Sequence, residues 1–395
     1  MPQPSGSQNI DFDYLKGQSQ VEIPFDIYNG FILLKIRING ILSANFIFDT
    51  GAQHTLLFKR IYAQILGLNF ERRIPIMGSD LNRDLFALIT RNVLLDWDGH
   101  IKMRKDILVL EEDYFQLDEM LGTRIDGLVG GDIFKNYVIR LDYQRNMLTI
   151  YNPNAFKTPG KKFATIPLSV EDSKPYVEVV VRMDGRYEVK ARLLLDTGAG
   201  VTLMLFTNTH PDLRLPDHTI KGMLGKGLGG FLEGYLGRID QMQLGSLIYP
   251  DMVTSFQDLD STLIGRQSTA RHGILGNLIL NHYQVIIDYP HEKLYLHEVR
   301  KIKDRYFDRS GLNIFGVGDD FNEFIVNSVI EKSPAAVADI RSGDIIRSVN
   351  GIPAAFFTLN HLARKFQKKP GKKYRLIILR NESRIKKKIV LRELI

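Results

Sequence analysis

The chain has 395 residues, of which 44% are hydrophobic and 25% charged, a composition typical of a globular protein long enough for two or three domains. It contains no cysteine, which excludes disulfides, thiol nucleophiles and cysteine-based zinc sites. No apolar run approaches the roughly 20 residues that a membrane-spanning helix needs, so we expect no transmembrane segment.

The net charge of +7 is spread unevenly along the chain. Residues 300–395 hold 21 Lys and Arg against 10 Asp and Glu, whereas residues 1–299 hold 31 against 35. A basic surface of this kind can contact an acidic partner, nucleic acid or a membrane face. Because most basic runs are simply solvated, we interpret this one as the surface of a small C-terminal domain and expect no nucleic-acid partner.

The first residues do not resemble a targeting segment. Residues 1–20 have neither the basic start nor the apolar stretch of a signal peptide. We interpret them as an N-terminal tail, of the kind that remains when a leader has been removed.

From residue 21 onward the chain contains two copies of one long pattern, at residues 21–151 and 163–299. Each copy has an apolar run that ends in Asp-Thr-Gly-Ala, with the aspartates at Asp49 and Asp196. A second glycine-containing segment begins 78 residues after Asp49 and 77 residues after Asp196. Two landmarks at matched distances indicate an internal duplication. Residues 152–162, rich in Pro, Lys and Asn, are typical of a linker.

Each copy is dominated by predicted strands. Alternating or apolar runs meet at Asn39-Gly40 and at Asp184-Gly185, dipeptides that favour the type I′ turns of β-hairpins. Helical patterns are few, and the clearest covers residues 58–68. We therefore predict a mainly β fold with two lobes related by a pseudo-twofold axis.

The two aspartates lie where a lone charged carboxylate would be costly to bury. If the copies pack about a pseudo-twofold axis, equivalent residues face each other and Asp49 meets Asp196. Two adjacent carboxylates share one proton, so that one member can accept a proton from water while the other donates to a carbonyl. This arrangement predicts amide hydrolysis with no metal and no other cofactor.

The residues after each aspartate suit this chemistry. Gly51 and Gly198 permit a tight turn that points backbone N–H groups at the carboxylates. Thr50 and Thr197 can hydrogen-bond the backbone across the axis. Two alternatives stay open, a peptide-binding scaffold that does not cut and an oligomer in which lobes of different chains pair. The short linker favours pairing within one chain and hence a monomer.

The paired motifs resemble those of the retropepsin-like aspartic proteases of the pepsin and retropepsin clan. The residues that carry the resemblance are 46–57 and 193–204, with "GLVGG" at 127–131 and "GILGN" at 273–277. The resemblance implies an aspartic endopeptidase that hydrolyses peptide bonds of a polypeptide substrate, with Asp49 and Asp196 as catalytic residues.

Family members cover the two aspartates with a glycine-rich hairpin called the flap. Residues 221–245 match it in the second copy, where the glycines that give mobility are Gly225, Gly227, Gly229 and Gly230. The equivalent residues 74–99 of the first copy have few glycines, so we expect an asymmetric cleft. Residues 225–230 also satisfy G-x-G-x-x-G, but the extended pattern after them argues against a dinucleotide site.

The last segment, residues 304–395, repeats neither copy. Residues 333–351 and 310–314 resemble PDZ domains, which implies a small α+β domain. The resemblance also implies that Gly311, Leu312, Asn313 and Ile314 bind the C-terminal carboxylate of a peptide. Asn313 stands where the family has glycine. The alternative is a PDZ domain that only buttresses the lobes.

The combination of retropepsin-like lobes with a PDZ domain resembles bacterial secreted or periplasmic proteins. We therefore expect such a compartment, an expectation that rests on analogy.

Overall fold

The computed structural model describes residues 15–76, 85–115, 117–227, 230–259, 271–301 and 308–395. Within these ranges the chain forms two β-barrel lobes, a sheet shared by both lobes and a small C-terminal domain. The prediction of a mainly β fold with two lobes and an α+β domain is confirmed. None of the helices in these ranges is long and apolar enough to cross a membrane.

The first lobe contains eleven strands and two short helices in its described residues. They are β1 (Gln20–Pro24), β2 (Asp26–Tyr28), β3 (Phe31–Ile38), β4 (Leu42–Phe48), β5 (Leu56–Leu57), α1 (Arg60–Ile65), β6 (Phe70–Ile76), β7 (Leu85–Asp96), β8 (Lys102–Leu110), α2 (Leu117–Leu121), β9 (Gly127–Val129), β10 (Val138–Asp142) and β11 (Met147–Tyr151). The helix predicted within residues 58–68 is therefore confirmed as α1.

The second lobe repeats this order strand for strand over its described residues. It contains β12 (Ala164–Pro167), β13 (Ser169–Glu171), β14 (Lys174–Met183), β15 (Tyr187–Asp196), β16 (Leu203–Phe206), β17 (Ile220–Gly227), β18 (Gly230–Leu244), β19 (Leu247–Gln257), β20 (Gly273–Gly276), α3 (Asn277–Leu280), β21 (Tyr283–Asp288) and β22 (Lys293–Glu298). Short 3₁₀ turns lie at Gly131–Ile133 and Pro153–Ala155.

Six strands close into a barrel in each lobe. In the first lobe the order is β3-β4-β9-β5-β8-β7, and β7 pairs back to β3. In the second lobe the order is β14-β15-β20-β16-β19-β18, and β18 pairs back to β14. The hairpin turns have positive φ at both central residues, 49° and 72° at Asn39-Gly40 and 52° and 60° at Asp184-Gly185, as a type I′ turn requires.

A six-stranded sheet joins the two lobes, in the order β1-β11-β10-β21-β22-β12. Its central strands β10 and β21 come from different lobes and pair antiparallel, from Val138 with Asp288 to Asp142 with Gln284. One hydrophobic cluster runs through both barrels and this sheet, with buried members such as Phe48, Leu141 and Ile287. The shared core fixes the lobes about a pseudo-twofold axis that passes between equivalent strands.

The C-terminal domain has its own core and its own sheet. Its elements are β23 (Leu312–Val317), β24 (Glu323–Val329), α4 (Pro334–Val337), β25 (Ile345–Val349), β26 (Ile352–Pro353), a 3₁₀ turn (Ala354–Phe356), α5 (Leu359–Phe366), β27 (Lys373–Arg380) and β28 (Ser383–Val390). The sheet order is β23-β24-β25-β27-β28, so that β23 lies at an edge. Side chains of Ser333 and Thr358 accept backbone N–H groups at the starts of α4 and α5, as N-caps do.

Candidate active site

The two aspartates lie at the ends of equivalent barrel strands. Asp49 follows β4, and Asp196 is the last residue of β15. Each of these strands pairs in parallel with the short strand that opens the later glycine segment, Phe46 with Gly127 and Leu193 with Gly273. Each glycine therefore lies on the neighbouring strand, opposite the residue that is three positions before the aspartate.

Close backbone approach explains why glycine stands at these two positions. A Cβ atom on Gly127 would lie 2.3 Å from the carbonyl oxygen of Leu56, and one on Gly273 would lie 2.0 Å from that of Met204. Both separations are far below van der Waals contact, so only glycine lets β5 and β16 pass this close. Each barrel thus supports its aspartate turn by the same packing.

The threonines of the two turns are bonded to each other across the axis. The hydroxyl of Thr197 accepts the N–H of Thr50 at 3.1 Å, and the hydroxyl of Thr50 accepts the N–H of Thr197 at 3.0 Å. Each hydroxyl also donates across the axis, Thr50 to the carbonyl of Leu195 at 2.7 Å and Thr197 to that of Phe48 at 2.8 Å. Both threonines are fully buried, so these four bonds fix one turn against the other.

Each carboxylate is oriented by its own turn. Asp49 Oδ1 accepts the N–H groups of Gly51 at 2.8 Å and Ala52 at 3.0 Å. Asp196 Oδ1 accepts the N–H of Gly198 at 2.8 Å. Backbone donors of this kind favour the ionised form of a carboxyl group and hold its plane.

The carboxyl group of each aspartate also packs against the glycine of the other aspartate's turn. A Cβ atom on Gly51 would lie 2.4 Å from Asp196 Oδ2, and one on Gly198 would lie 2.3 Å from Asp49 Cγ. Both aspartates are half-buried, whereas the threonines that follow them are fully buried. The structure therefore brings together Asp49, Asp196 and the turn residues Thr50, Gly51, Thr197 and Gly198.

Burial and mutual repulsion shift the titration of this pair. Burial raises the pKa of Asp49 well above its usual range, and the neighbouring charge of Asp196 raises it further. Burial also raises the pKa of Asp196, but the positive charge of Arg271 and the hydrogen bonds that its carboxylate accepts oppose that rise. Two neighbouring carboxylates that are both ionised repel each other, which favours a single proton shared by the pair.

Two cations give the second-lobe side of the cleft its own character. Arg271 precedes β20, and its guanidinium lies 5.6 Å from the centre of the Phe206 ring. Its Nε is buried and has no hydrogen-bond partner among the described residues. Lys174 is the first residue of β14, and the equivalent first residue of β3 in the other lobe is Phe31. Burial lowers the pKa of both cations, although the charges of the aspartate pair oppose the shift in Lys174.

The cleft is therefore asymmetric close to the aspartates. Phe31 reaches across to the second turn, where a Cβ atom on Gly200 would lie 3.0 Å from its ring. The equivalent tip of the second lobe carries the carbonyl of Ser173 against Gly131, only 2.2 Å from the position of a Cβ atom. The first lobe thus has the aromatic ring of Phe31 at the position where the second lobe has the ammonium group of Lys174.

Asn277 joins the two lobes directly behind the site. It is buried at the start of α3, where its N–H donates to the carbonyl of Ala199 at 2.9 Å. Its side-chain amide donates to the carbonyl of Gly30 in the first lobe, and its Oδ1 accepts the hydroxyl of Tyr143. Through its backbone N–H and its side chain together, this one residue connects the turn after Asp196 to the first lobe.

The predicted flap is a hairpin of β17 and β18, in which Lys226 pairs with Phe231 and Gly227 with Gly230. Gly225 also lies in it, whereas Gly229 lies outside the described residues. The described residues 225–227 and 230 are consequently strand residues, and strand β18, not a helix, follows them. In the first lobe β6 pairs with β7 up to Ile76 and Leu85, and residues 77–84 are outside the described ranges.

The predicted carboxylate-binding loop lies at the start of β23, in a separate domain from the aspartates. Gly311 has φ of +78°, a conformation that favours glycine. The N–H groups of Ser310 and Gly311 donate to Asp308, and that of Leu312 donates to the Ser310 hydroxyl. Burial raises the pKa of Asp308 to about 6. Side chains of the chain itself therefore occupy the first donors of this loop.

Comparison with known families agrees with the geometry. Residues 179–278 match the family described as aspartyl protease, and residues 325–380 match the family described as PDZ domain. Residues 179–278 of the second lobe thus carry an aspartyl protease domain of the retropepsin-like clan, and residues 325–380 carry a PDZ domain. A comparison of the chain with curated proteins found no match.

Sequence reasoning did not identify three residues that the structure places at or behind the cleft. Lys174 belongs to a strand whose alternation predicts burial but not which charges meet, Arg271 lies just before β20, and Asn277 is the last residue of the segment "GILGN". The signal for Lys174 was available, because alignment of the two copies puts it opposite Phe31. Arg271 and Asn277 act through contacts between distant parts of the chain, which no local pattern reveals.

Proposed function

We propose that the protein is an aspartic endopeptidase in which Asp49 and Asp196 activate a water molecule for peptide-bond hydrolysis. The observation that carries the proposal is the facing pair of carboxylates, each held on the other's turn by the threonine bonds. A carboxylate pair that retains one proton supplies a base and an acid at the same place. The matched aspartyl protease domain supports the same chemistry.

The reaction would proceed without a covalent intermediate. The ionised carboxylate accepts a proton from water as the water oxygen attacks the peptide carbonyl carbon. The protonated carboxyl group donates its proton to the carbonyl oxygen, which yields a neutral tetrahedral diol. Transfer of a proton to the peptide nitrogen and cleavage of the C–N bond release an amine and a carboxylic acid, and the pair regains its single proton.

We further propose that the PDZ domain binds the C-terminus of a polypeptide along the edge of β23. An edge strand can accept a peptide as an added strand, and β23 has only β24 as a neighbour in its sheet. In this proposal Gly311, Leu312, Asn313 and Ile314 form the end of the groove that receives the carboxylate. The carboxylate would take the place of Asp308 and Ser310 as acceptor of the N–H groups of Gly311 and Leu312. A substrate or a regulatory peptide can be the partner.

The experiment is digestion of a diverse peptide mixture between about pH 3 and pH 8, with products identified by mass spectrometry. Asp49→Asn and Asp196→Asn should each lower turnover by at least about 10²- to 10⁴-fold, the usual contribution of a positioned acid or base. Asp319→Asn, on an exposed loop of the PDZ domain, is the matched control and should cut like the parent. Peptides that stay intact at every pH would instead favour a scaffold that binds without cutting.

A further inference from the structure

The groove of the PDZ domain lies against a helix of the first lobe. Helix α2 contacts β23, the edge strand of the PDZ sheet. Gly122, directly after α2, reaches both walls of the groove. A Cβ atom on Gly122 would lie 2.9 Å from Cβ of Leu359 in α5, and one on Gly316 in β23 would lie 3.4 Å from Cα of Gly122. The end of α2 therefore lies between β23 and α5, the strand and the helix between which a bound peptide would lie.

Burial within β23 agrees with a covered strand. Ile314 and its neighbour Val326 pack in the PDZ core. Phe315 is only 6% exposed, yet it does not belong to that core. Because successive side chains of a strand point to opposite faces, Phe315 lies on the face of β23 opposite the one that Ile314 presents to the PDZ core. Helix α2 is a first-lobe element in contact with this strand.

Helix α2 is also tied to the active-site side of the first lobe. The side chain of Asn29 donates to the carbonyls of Met120 and Leu121 at 3.5 Å and 3.4 Å. Asn29 belongs to the turn before β3, and the next residue, Gly30, accepts the side-chain amide of Asn277. A short series of contacts thus connects the PDZ groove to the turn that follows Asp196.

The PDZ domain also touches the second lobe. A Cβ atom on Gly222 in β17, a strand of the flap hairpin, would lie 3.8 Å from Ile330 in the PDZ domain. Arg238 in β18 donates to the carbonyl of the last residue, Ile395, at 3.5 Å. The PDZ domain therefore contacts both lobes, the first through α2 and the second through β17 and β18.

We propose that α2 is an internal occupant of the PDZ groove, so that an external peptide and the first lobe compete for one site. In the docked state Gly122 closes the groove between Gly316 and Leu359. A peptide that adds to β23 must displace α2. The PDZ domain thereby loses its contact with the part of the first lobe that Asn29 ties to α2. The inference rests on the proposed peptide site of the PDZ domain and not on hydrolysis.

The competition can be tested with the full chain, which has no native cysteine. The probe is a fluorescein-labelled octapeptide pool with four randomised C-terminal residues and a free carboxylate, and an amidated pool is the control. All variants carry Asp196→Asn so that no peptide is cut. Gly122→Cys with Leu359→Cys allows a disulfide to lock α2 in the groove, and the oxidised and reduced forms are compared by fluorescence anisotropy.

A second variant releases α2 and leaves the PDZ domain unchanged. Gly122→Glu places a side chain against Leu359, at a position with φ of +67°. Gly67→Glu is the matched control, because Gly67 also follows a short helix, has φ of +60° and has nothing within 4 Å of its Cβ position. The strain of the positive φ is then common to both variants.

We expect Gly122→Glu to bind the carboxylate pool at least about tenfold more tightly than Gly67→Glu, since affinity scales with the fraction of open grooves. The oxidised double variant should not bind, and reduction should restore binding. Equal binding by the oxidised and reduced forms would overturn the competition alone. Absence of binding in every form would overturn both the competition and the PDZ peptide site, while hydrolysis would still be tested separately.

Discussion

Thr50 and Thr197 each accept the other's backbone N–H, at 3.1 Å and 3.0 Å, in a fully buried contact between the two lobes. Neither turn is therefore complete without the other lobe. The carboxylates of Asp49 and Asp196 take their relative position from this contact, because each begins the turn that its threonine continues. Rigid support of this kind is what a reaction with two proton transfers requires.

The threonine contact gives the first prediction. Thr197→Val keeps the shape of the side chain but leaves the N–H of Thr50 and the carbonyl of Phe48 without a partner. We expect a loss of about 1–3 kcal/mol in the free energy of unfolding, the usual cost of buried unsatisfied groups, and a marked fall in turnover. Urea denaturation and peptide cleavage measure the two effects. Thr202→Val, which removes a bond within the second lobe, should affect stability alone, and full activity of Thr197→Val would contradict the proposed support.

The raised pKa of Asp49 gives a prediction about stability. Because its folded-state pKa lies above the unfolded value, the protonated form favours folding, and this contribution is lost as pH rises through the folded pKa. Asp49→Asn cannot ionise, so its melting temperature should exceed that of the parent near neutral pH. The difference should shrink toward acidic pH, where the parent is also protonated. Thermal melts from about pH 3 to pH 8 test this, with Asp319→Asn as an exposed control expected to follow the parent.

The cation beside Asp196 gives a prediction about pH dependence. The charge of Arg271 holds the pKa of Asp196 down against burial, and among the described residues Asp49 and Lys174 also interact with Asp196 electrostatically. Arg271→Gln should therefore raise the pKa of Asp196 and move the acidic limb of kcat/KM to higher pH. Arg271→Lys keeps the charge and should stay closer to the parent. An acidic limb that does not move in the Gln variant would show that Arg271 does not act on the pair.

The glycine that opens β20 gives a prediction about packing. Gly273→Ala would put a Cβ atom 2.0 Å from the carbonyl oxygen of Met204, and both atoms belong to the backbone or are fixed to it. We expect a loss of about 1–3 kcal/mol or more, the range of overpacked cores, with a lower melting temperature. Gly160→Ala in the linker, where nothing lies within 4 Å, should be neutral. Equal stability of the two variants would mean that the strands can separate at little cost.

Local patterns were sufficient for much of the fold. The hairpin turns at Asn39-Gly40 and Asp184-Gly185 follow from residues that tolerate positive φ, and helix α1 follows from its apolar spacing. The duplication predicted two lobes and placed Asp49 opposite Asp196. These inferences worked because each depends on a few neighbouring residues or on a repeat that the sequence states twice.

The sequence by itself determined that two aspartate turns exist and that they are equivalent. Only the tertiary structure decided that Arg271 lies beside Asp196, that Asn277 joins the lobes behind the turns, and that α2 packs against β23 of the PDZ domain. The physical reason is that these contacts join residues that are far apart in the chain, such as Asn277 with Gly30 and Gly122 with Leu359. Their energies depend on how whole barrels and domains pack, and no local propensity or spacing encodes that packing.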